Sequence, residues 1–279
     1  MSDDVTVRGL LTESRGRLAD LPQGSLEAEV LLSHVLGVDR AWLYANSEQV
    51  VSGDKQDYYV ELIGRRGVGE PIAYLTGIRE FWSLPLEVTP DVLIPRPETE
   101  LLVETALDLL PIKKPCRVAD LGTGSGAVAL AIASERPLWE MHATELSPAA
   151  LEIAQKNAAS LLPGRVQFHE GSWLEPLQGR FDLLVSNPPY VVEGDQHLES
   201  GDCRFEPRLA LTSGSDGLHA IRRISCGAIK YLKSGGCLAF EHGFDQGAEA
   251  RAVLDGLGYA NVETRRDLEN RERVTLGYG

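Results

Sequence analysis

The sequence predicts an α/β protein: a mainly parallel, doubly wound sheet of seven strands with an antiparallel terminal strand, preceded by a small all-helical domain. Three observations carry the prediction. Residues 117–279 alternate short apolar strand-like runs with helical stretches, the pattern of βαβ units. The tail breaks the alternation: "YANVETRRD" and "RERVTLGYG" are strand-like runs with no helix between them, and strands joined by a short link pair antiparallel. Residues 1–70 carry only helix-period patterns.

In chain order, "SLEAEVLLSHVLG" predicts a helix with Ser25 as N-cap, apolar residues at Leu26, Val30, Leu31, Val35 and Leu36, and Gly37 just past its end. "DKQDYYVELIGRRGVG" predicts a second, with Asp54 as N-cap and Tyr58, Leu62 and Ile63 on one face. Neither holds a site-like cluster. Residues 71–97 change texture: "PIAYLTGIREFWSLPLEVTPDVLIPRPETE" is rich in β-branched and aromatic residues and prolines, which suits a hairpin or extended junction. A helix at "ETELLVETALDLL" then opens the larger domain, 98–279. Its strand candidates are "RVADLG", "EMHATE", "RVQFHEG", "FDLLVS", "CLAFEHG" and the two tail runs, with helical patterns after the first two.

Composition limits the function classes. Hydrophobic residues make up 43% of 279 and charged residues 24%, enough for a substantial core. A formal net charge of −14 repels phosphate backbones, which favours a small ligand or a protein partner over nucleic acid. Cys116, Cys203, Cys226 and Cys237 form no C-x-x-C pair and have no histidine at zinc-ligand spacing, so they read as thiols in a reducing compartment and no metal is expected. The acidic start "MSDDVTVRGLLTES" lacks an apolar signal core, and "AVALAIA" is too short to span a bilayer. A cytoplasmic protein without a membrane partner is expected.

"VADLGTGSGAVALAIA" reads as strand, glycine loop and helix. Gly122, Gly124 and Gly126 remove side chains where the backbone turns tightly and approaches a ligand. Their G-x-G-x-G spacing matches neither the dinucleotide fingerprint nor a phosphate-binding P-loop. Glu145 ends the next strand, and strand C-termini line the ligand crevice of a doubly wound sheet, where a carboxylate can accept both hydroxyls of a ribose. "LSPAALEIAQKNA" then starts a helix with Ser147 as N-cap and Pro148 at the first position.

"ADLGTGSGA" resembles the cofactor loop of class I, Rossmann-like methyltransferases. That resemblance implies S-adenosyl-L-methionine as cofactor, with Gly122, Thr123, Gly124, Ser125 and Gly126 bordering its amino-acid part and Glu145 its ribose. In "EGSWL", Trp173 is placed to pack on the adenine face, and Ser172 stands where many relatives carry an aspartate.

The strand "FDLLV" runs into "SNPPY", Ser186 to Tyr190. Two prolines cannot continue a central strand, because neither has an N–H for the ladder. In this fold the strand's end faces the reactive sulfonium, so Asn187 borders cofactor and substrate alike. A planar amide nitrogen is a poor nucleophile that must be held in line. The Asn187 side-chain oxygen and the Pro188 carbonyl offer two acceptors for an –NH₂ group. Pro188 and Pro189 stiffen the turn, Pro188 also restricts Asn187 to extended backbone, and Tyr190 offers a flat face to a planar amide or base.

"NPPY" is shared by methyltransferases of adenine amines in DNA and of glutamine amides in proteins. The junction stretch, "FEPRLAL", "EHGFDQG" and "RDLENRERVTLG" resemble the bacterial release-factor glutamine methyltransferases (the PrmC/HemK family) along nearly the whole chain. This implies methyl transfer to the glutamine of the Gly-Gly-Gln motif in class I peptide chain release factors, with Asn187, Pro188, Pro189 and Tyr190 at the substrate. The N-terminal helices of residues 1–70 carry no catalytic residues, so docking the protein substrate is their expected task. A DNA adenine enzyme would need a basic face for base flipping, which the net charge disfavours. Arg96 and Glu98 either line the pocket or pin the junction. His242 reads as a structural hydrogen-bonder.

Overall fold

The computed structural model describes residues 5–279, which divide into two compact units between Gly77 and Ile78. The first is helical: α1 (Val7–Arg17), α2 (Gly24–Leu36), α3 (Arg40–Ala45), α4 (Gly53–Gly67) and α5 (Ile72–Thr76). Thr6 caps α1 by accepting from the Gly9 N–H at 3.2 Å, and Asp39 caps α3 by accepting from Trp42 at 2.7 Å. Gly37 ends α2 in the left-handed conformation, as expected.

Two cap expectations are corrected. α2 starts at Gly24, so Ser25 lies inside it: a Cβ on Gly24 would sit 2.0 Å from the Leu18 carbonyl oxygen, and this close approach sets the helix start ahead of the serine. Ser52, not Asp54, holds the cap position of α4, and Asp54 lies in the first turn, where its charge favours the exposed N–H groups. The buried face of α4 is Tyr59, Leu62 and Ile63, while Tyr58 is exposed. Both tyrosines fit a helical stripe. Tyr59 is drawn in because its hydroxyl donates to the Ala28 carbonyl at 3.1 Å. The stretch 72–76, expected within the junction, is a helix whose Leu75 is buried in the helical core with Leu31, Leu32 and Leu62.

The second unit opens with a hairpin, β1 (Ile78–Phe81) and β2 (Leu84–Glu87), then an extended run into α6 (Glu100–Leu109). There follow β3 (Arg117–Leu121), α7 (Ala127–Glu135), β4 (Glu140–Glu145), α8 (Pro148–Leu161), β5 (Val166–Glu170), β6 (Phe181–Ser186), α9 (Arg208–Leu211), α10 (His219–Ala228), β7 (Leu232–Glu241), α11 (Gly247–Gly256), β8 (Ala260–Arg266) and β9 (Glu272–Tyr278). The seven-stranded sheet has the order β5-β4-β3-β6-β7-β9-β8. All neighbours are parallel except those of β9, which inserts between β7 and β8 and runs against both, so the last strand is antiparallel as expected.

Helices cover both faces, which explains the near-continuous apolar runs of the central strands. Val118, Leu183 and Val185 join the core that includes α6 and α7 residues; Ala119, Leu121 and Leu184 join the one that includes α10 and α11 residues. The chain builds outward from β3 to β4 and β5, then returns to place β6 on the other side of β3. That reversal opens a crevice at the strand C-termini. Asn157 on α8 ties hairpin to glycine loop: it accepts from the Glu87 N–H at 2.7 Å and donates to the Glu87 and Ser125 carbonyls at 3.0 and 2.9 Å. Among the described residues, no helix is long and apolar enough to cross a membrane.

Candidate active site

A cleft of about 490 Å³ lies at the crevice, in the size range of small-molecule sites. The loop after β3 forms its floor. Gly122, Gly124 and Gly126 all have positive φ, at 74°, 57° and 86°. They serve different ends. A Cβ on Gly122 would come within 2.7 Å of the Trp173 ring, so the glycine lets the indole lie on the loop. Gly124 has open space beside it and lines the cleft. Gly126 caps α7 and packs towards Ala154 and Leu130, away from the cleft. Thr123 and Ser125 contribute to the lining.

Glu145 ends β4 half-buried. Its Oε2 accepts from the Gly124 N–H and its Oε1 from the Ser147 N–H, each at 2.9 Å. Each oxygen retains acceptor capacity, so the carboxylate is oriented towards the loop and still able to accept hydroxyls. Ser147 caps α8, as expected. Ser172 and Trp173 complete this end of the cleft.

Asp120 also lines the cleft, and the sequence reading passed over it. It is 1% exposed, and burial pushes it from its usual 3.8 to about 7, although the Thr123 hydroxyl donates to it at 2.6 Å. The signal was present: an acid near a strand's C-terminus, immediately before the glycine loop, satisfies the rule that selected Glu145.

At the end of β6 the Asn187 side-chain nitrogen donates to the Thr99 hydroxyl at 3.0 Å. Asn187, Pro189 and Thr99 line the cleft. The lining does not include Pro188, which is buried, or Tyr190, which is half-buried. The Tyr190 hydroxyl donates to Glu241 Oε1 at 3.1 Å, and its carbonyl accepts from the Gln246 side chain at 3.0 Å. Burial raises the Tyr190 phenol far above its ordinary value, and the Glu241 charge adds to the shift. Glu241, at the end of β7, is 1% exposed; burial pushes it up to about 7 against the Thr99 and Tyr190 hydroxyls, which pull it down.

The junction residues separate by role. Arg96 forms an ion pair with buried Glu206, which also accepts from the Ile94 N–H at 3.1 Å. Neither Arg96 nor Glu98 lines the cleft, although Pro95 and Thr99 do. Arg96 therefore pins the junction to the segment "FEPR". His242 is fully buried and bonded at both nitrogens, to the Gly243 carbonyl and the Thr275 hydroxyl, each at 2.8 Å, which fits a structural role. No cluster of three or more metal-ligating side chains occurs among the described residues.

The lining fits S-adenosylmethionine. Open space at Gly124 admits a polar chain against the loop backbone, Glu145 has acceptor capacity for ribose hydroxyls, and the half-buried Trp173 indole borders the same cleft.

Comparison with known proteins agrees with this geometry. Residues 9–77 match the family described as PrmC N-terminal domain, and residues 97–202 match the methyltransferase small domain. The release factor glutamine methyltransferase of Burkholderia pseudomallei is 50% identical over 264 residues, covering 92% of each chain. That of Escherichia coli is 48% identical over 252 residues, covering 90% of this chain and 91% of the relative. Among solved structures, the hMettl16 catalytic domain in complex with an RNA hairpin superposes with a TM-score of 0.58 at 15% identity, covering 84% of each chain. At that identity the likeness concerns the fold.

Proposed function

The chain belongs to the family of release factor glutamine methyltransferases, and from that premise we propose how its cleft works. It is an S-adenosylmethionine-dependent protein methyltransferase acting on a release-factor glutamine. The finer reading is that the acceptor is the side-chain amide nitrogen of the glutamine in a Gly-Gly-Gln loop. Bound in the cleft, S-adenosylmethionine supplies a methyl group on a sulfonium, already a good electrophile.

The chain's own residues bind, orient and hold. Gly124, Glu145 and Trp173 grip one end of the cleft. At the other, Asn187 Oδ1 takes one N–H of the glutamine amide, and the backbone carbonyl of Pro188, the buried residue that follows it, is the clamp's second acceptor; neither oxygen accepts a hydrogen bond among the described residues. Acceptors placed out of the amide plane favour a pyramidal nitrogen and aim its lone pair. Tyr190, tied to Glu241 and Gln246, buttresses this wall. No titrating base is required, because the nitrogen becomes strongly acidic on methylation and releases its proton to water. The helices of residues 1–77 supply the wider surface that selects the protein substrate. An enzyme acting on release factors works in the cytoplasm, where translation ends.

The observation carrying this reading is that Asn187 lines the same cleft as Gly124 and Glu145. The test is mass spectrometry of a class I release factor incubated with enzyme and S-adenosylmethionine. One added CH₂ on the Gly-Gly-Gln glutamine is expected, and an unmodified glutamine overturns the reading. Nothing in the comparisons supports the DNA-adenine alternative.

A further inference from the structure

A loop built on three glycines is weakly restrained by its own backbone, so bonds from outside must hold its shape before a ligand arrives. Two such ties come from the crevice itself: Glu145 accepts from the Gly124 N–H, and the Thr123 hydroxyl donates to Asp120. A third comes from Asn157, which is 3% exposed and lies outside the cleft lining.

Every hydrogen bond of the Asn157 amide has a fixed direction. Its Oδ1 accepts from the Glu87 N–H at 2.7 Å, and its Nδ2 donates to the Glu87 and Ser125 carbonyls at 3.0 and 2.9 Å. An N–H only donates and a carbonyl only accepts, so the amide cannot sit the other way round. The bonds to Glu87 have a plain structural purpose. The hairpin is a two-stranded sheet, which leaves β2 with an open edge, and the side-chain amide stands in for the N–H and C=O of a third strand.

The bond to Ser125 serves no strand edge. It pins the peptide between Ser125 and Gly126 at its carbonyl, while the N–H of the same peptide donates to the Thr123 carbonyl at 2.9 Å. The helix is shaped for this contact. Ala150, Ala154 and Asn157 share one side of α8; Ala150 lines the cleft, and Ala154 lies against Gly126. Beyond Glu87 the chain enters the cleft lining at Asp91, Val92 and Leu93. One buried amide thus ties the glycine loop to the segment that leads into a second part of the lining.

We infer that Asn157 is a positioning residue for the cofactor: it holds the glycine loop in its binding shape and so sets S-adenosylmethionine affinity from outside the cleft lining. The inference rests on S-adenosylmethionine occupying the cleft and deepens that reading.

The test is calorimetry on the full chain with S-adenosylmethionine and no release factor. Asn157→Asp keeps the shape and the acceptor for Glu87 but has no proton for either carbonyl. Its affinity should weaken about 10-fold, the scale of one buried hydrogen bond and the ordering it supplies. Asn157→Ala, which removes all three bonds, should lose at least as much. At saturating cofactor the kcat of both should stay within about threefold of wild type, since the defect lies in binding. In the cofactor-free chain, hydrogen exchange at the Thr123, Gly124 and Gly126 N–H groups should quicken along with that at Glu87. Glu29→Ala, which loses stability in the other unit, is the control and should bind the cofactor normally.

Wild-type affinity in both variants, or faster exchange at Glu87 with the loop unmoved, would reduce Asn157 to an edge cap and overturn the inference. Should neither variant fold, the wild-type chain decides. Because coupling is reciprocal, saturating S-adenosylmethionine should slow exchange of the Glu87 N–H about fivefold more than that of the rest of the hairpin, and equal slowing overturns the inference. A wild-type chain that does not bind S-adenosylmethionine overturns the cofactor reading instead.

Discussion

Glu29 in the helical unit and the cleft-side acids Asp120 and Glu241 in the second unit are buried in opposite surroundings. In the helical unit Glu29 is 4% exposed and accepts from Arg15 at 2.9 Å, Arg40 at 2.6 Å and Tyr44 at 2.6 Å. Burial works against its charge, but Tyr44, Arg40 and Arg15 outweigh it and hold its pKa below the usual range. In the second unit Asp120 and Glu241 are as deeply buried but meet hydroxyls in place of cations, and burial prevails, taking each to about 7. The contrast locates function. An acid satisfied by local cations needs nothing further, whereas under-partnered acids lie where a sheet's strands end around a ligand.

The comparison can be broken at its functional end first. Asn187→Ala removes the acceptor aimed at the nucleophile, and kcat should fall about 100- to 1,000-fold while S-adenosylmethionine affinity barely moves. Near-normal turnover would mean that this end of the cleft does not hold the substrate. Next in size, Glu145→Ala should weaken S-adenosylmethionine binding by roughly 1.5–3 kcal/mol, the worth of hydrogen bonds to a charged group. Calorimetry showing unchanged affinity would make Glu145 merely a brace for the Gly124 and Ser147 N–H groups.

Glu29→Ala tests the satisfied side. The Arg15 and Arg40 side chains it strands are 41% and 48% exposed, so water rehydrates them. The stability loss in urea should therefore be about 1–2 kcal/mol, well below that for stranding a fully buried partner. Cofactor affinity should not change. Glu241→Gln should do the reverse and stabilise. Burial lifts the folded-state pKa of Glu241 from 4.5 to about 7, so its carboxylate detracts from stability fully above that range and not at all below it. Relative to wild type, the variant should gain on the order of 1 kcal/mol at about pH 8, shrinking towards zero near pH 4. A pH-independent difference in melting temperature would show that Glu241 is satisfied after all.

The features legible in the sequence were those whose cause is local or follows from the sheet's architecture. Apolar runs marked the central strands, the tail's missing helix marked the reversed strand, and three glycines marked the loop. The rule that ligands gather at strand ends brought Glu145 into view, and applied once more it reaches Asp120. Helix starts were less legible, because Gly24 is placed by a contact with Leu18 rather than by the nearest serine. The choice between Tyr58 and Tyr59 turned on a hydrogen bond to Ala28, a residue on another helix. The ties beneath the clamp were not legible at all. Asn187 and Thr99 stand 88 residues apart, Tyr190 and Glu241 51, and Arg96 and Glu206 110. Such pairs are joined only by folding, and no periodicity along the chain records them.

The Asn187–Pro188 bond also bears on how this protein ages. Asparagine side chains deamidate when the backbone nitrogen of the following residue attacks the side-chain carbonyl, closing a succinimide and expelling ammonia. Proline has no N–H with which to begin that closure. The amide on which the proposed clamp depends is thus protected from the commonest spontaneous lesion of its residue type by the ring that stiffens the turn. Conversion to aspartate would replace a neutral acceptor with a charge beside the cleft. The double proline therefore acts over the lifetime of the molecule as well as in each turnover, keeping Asn187 an asparagine.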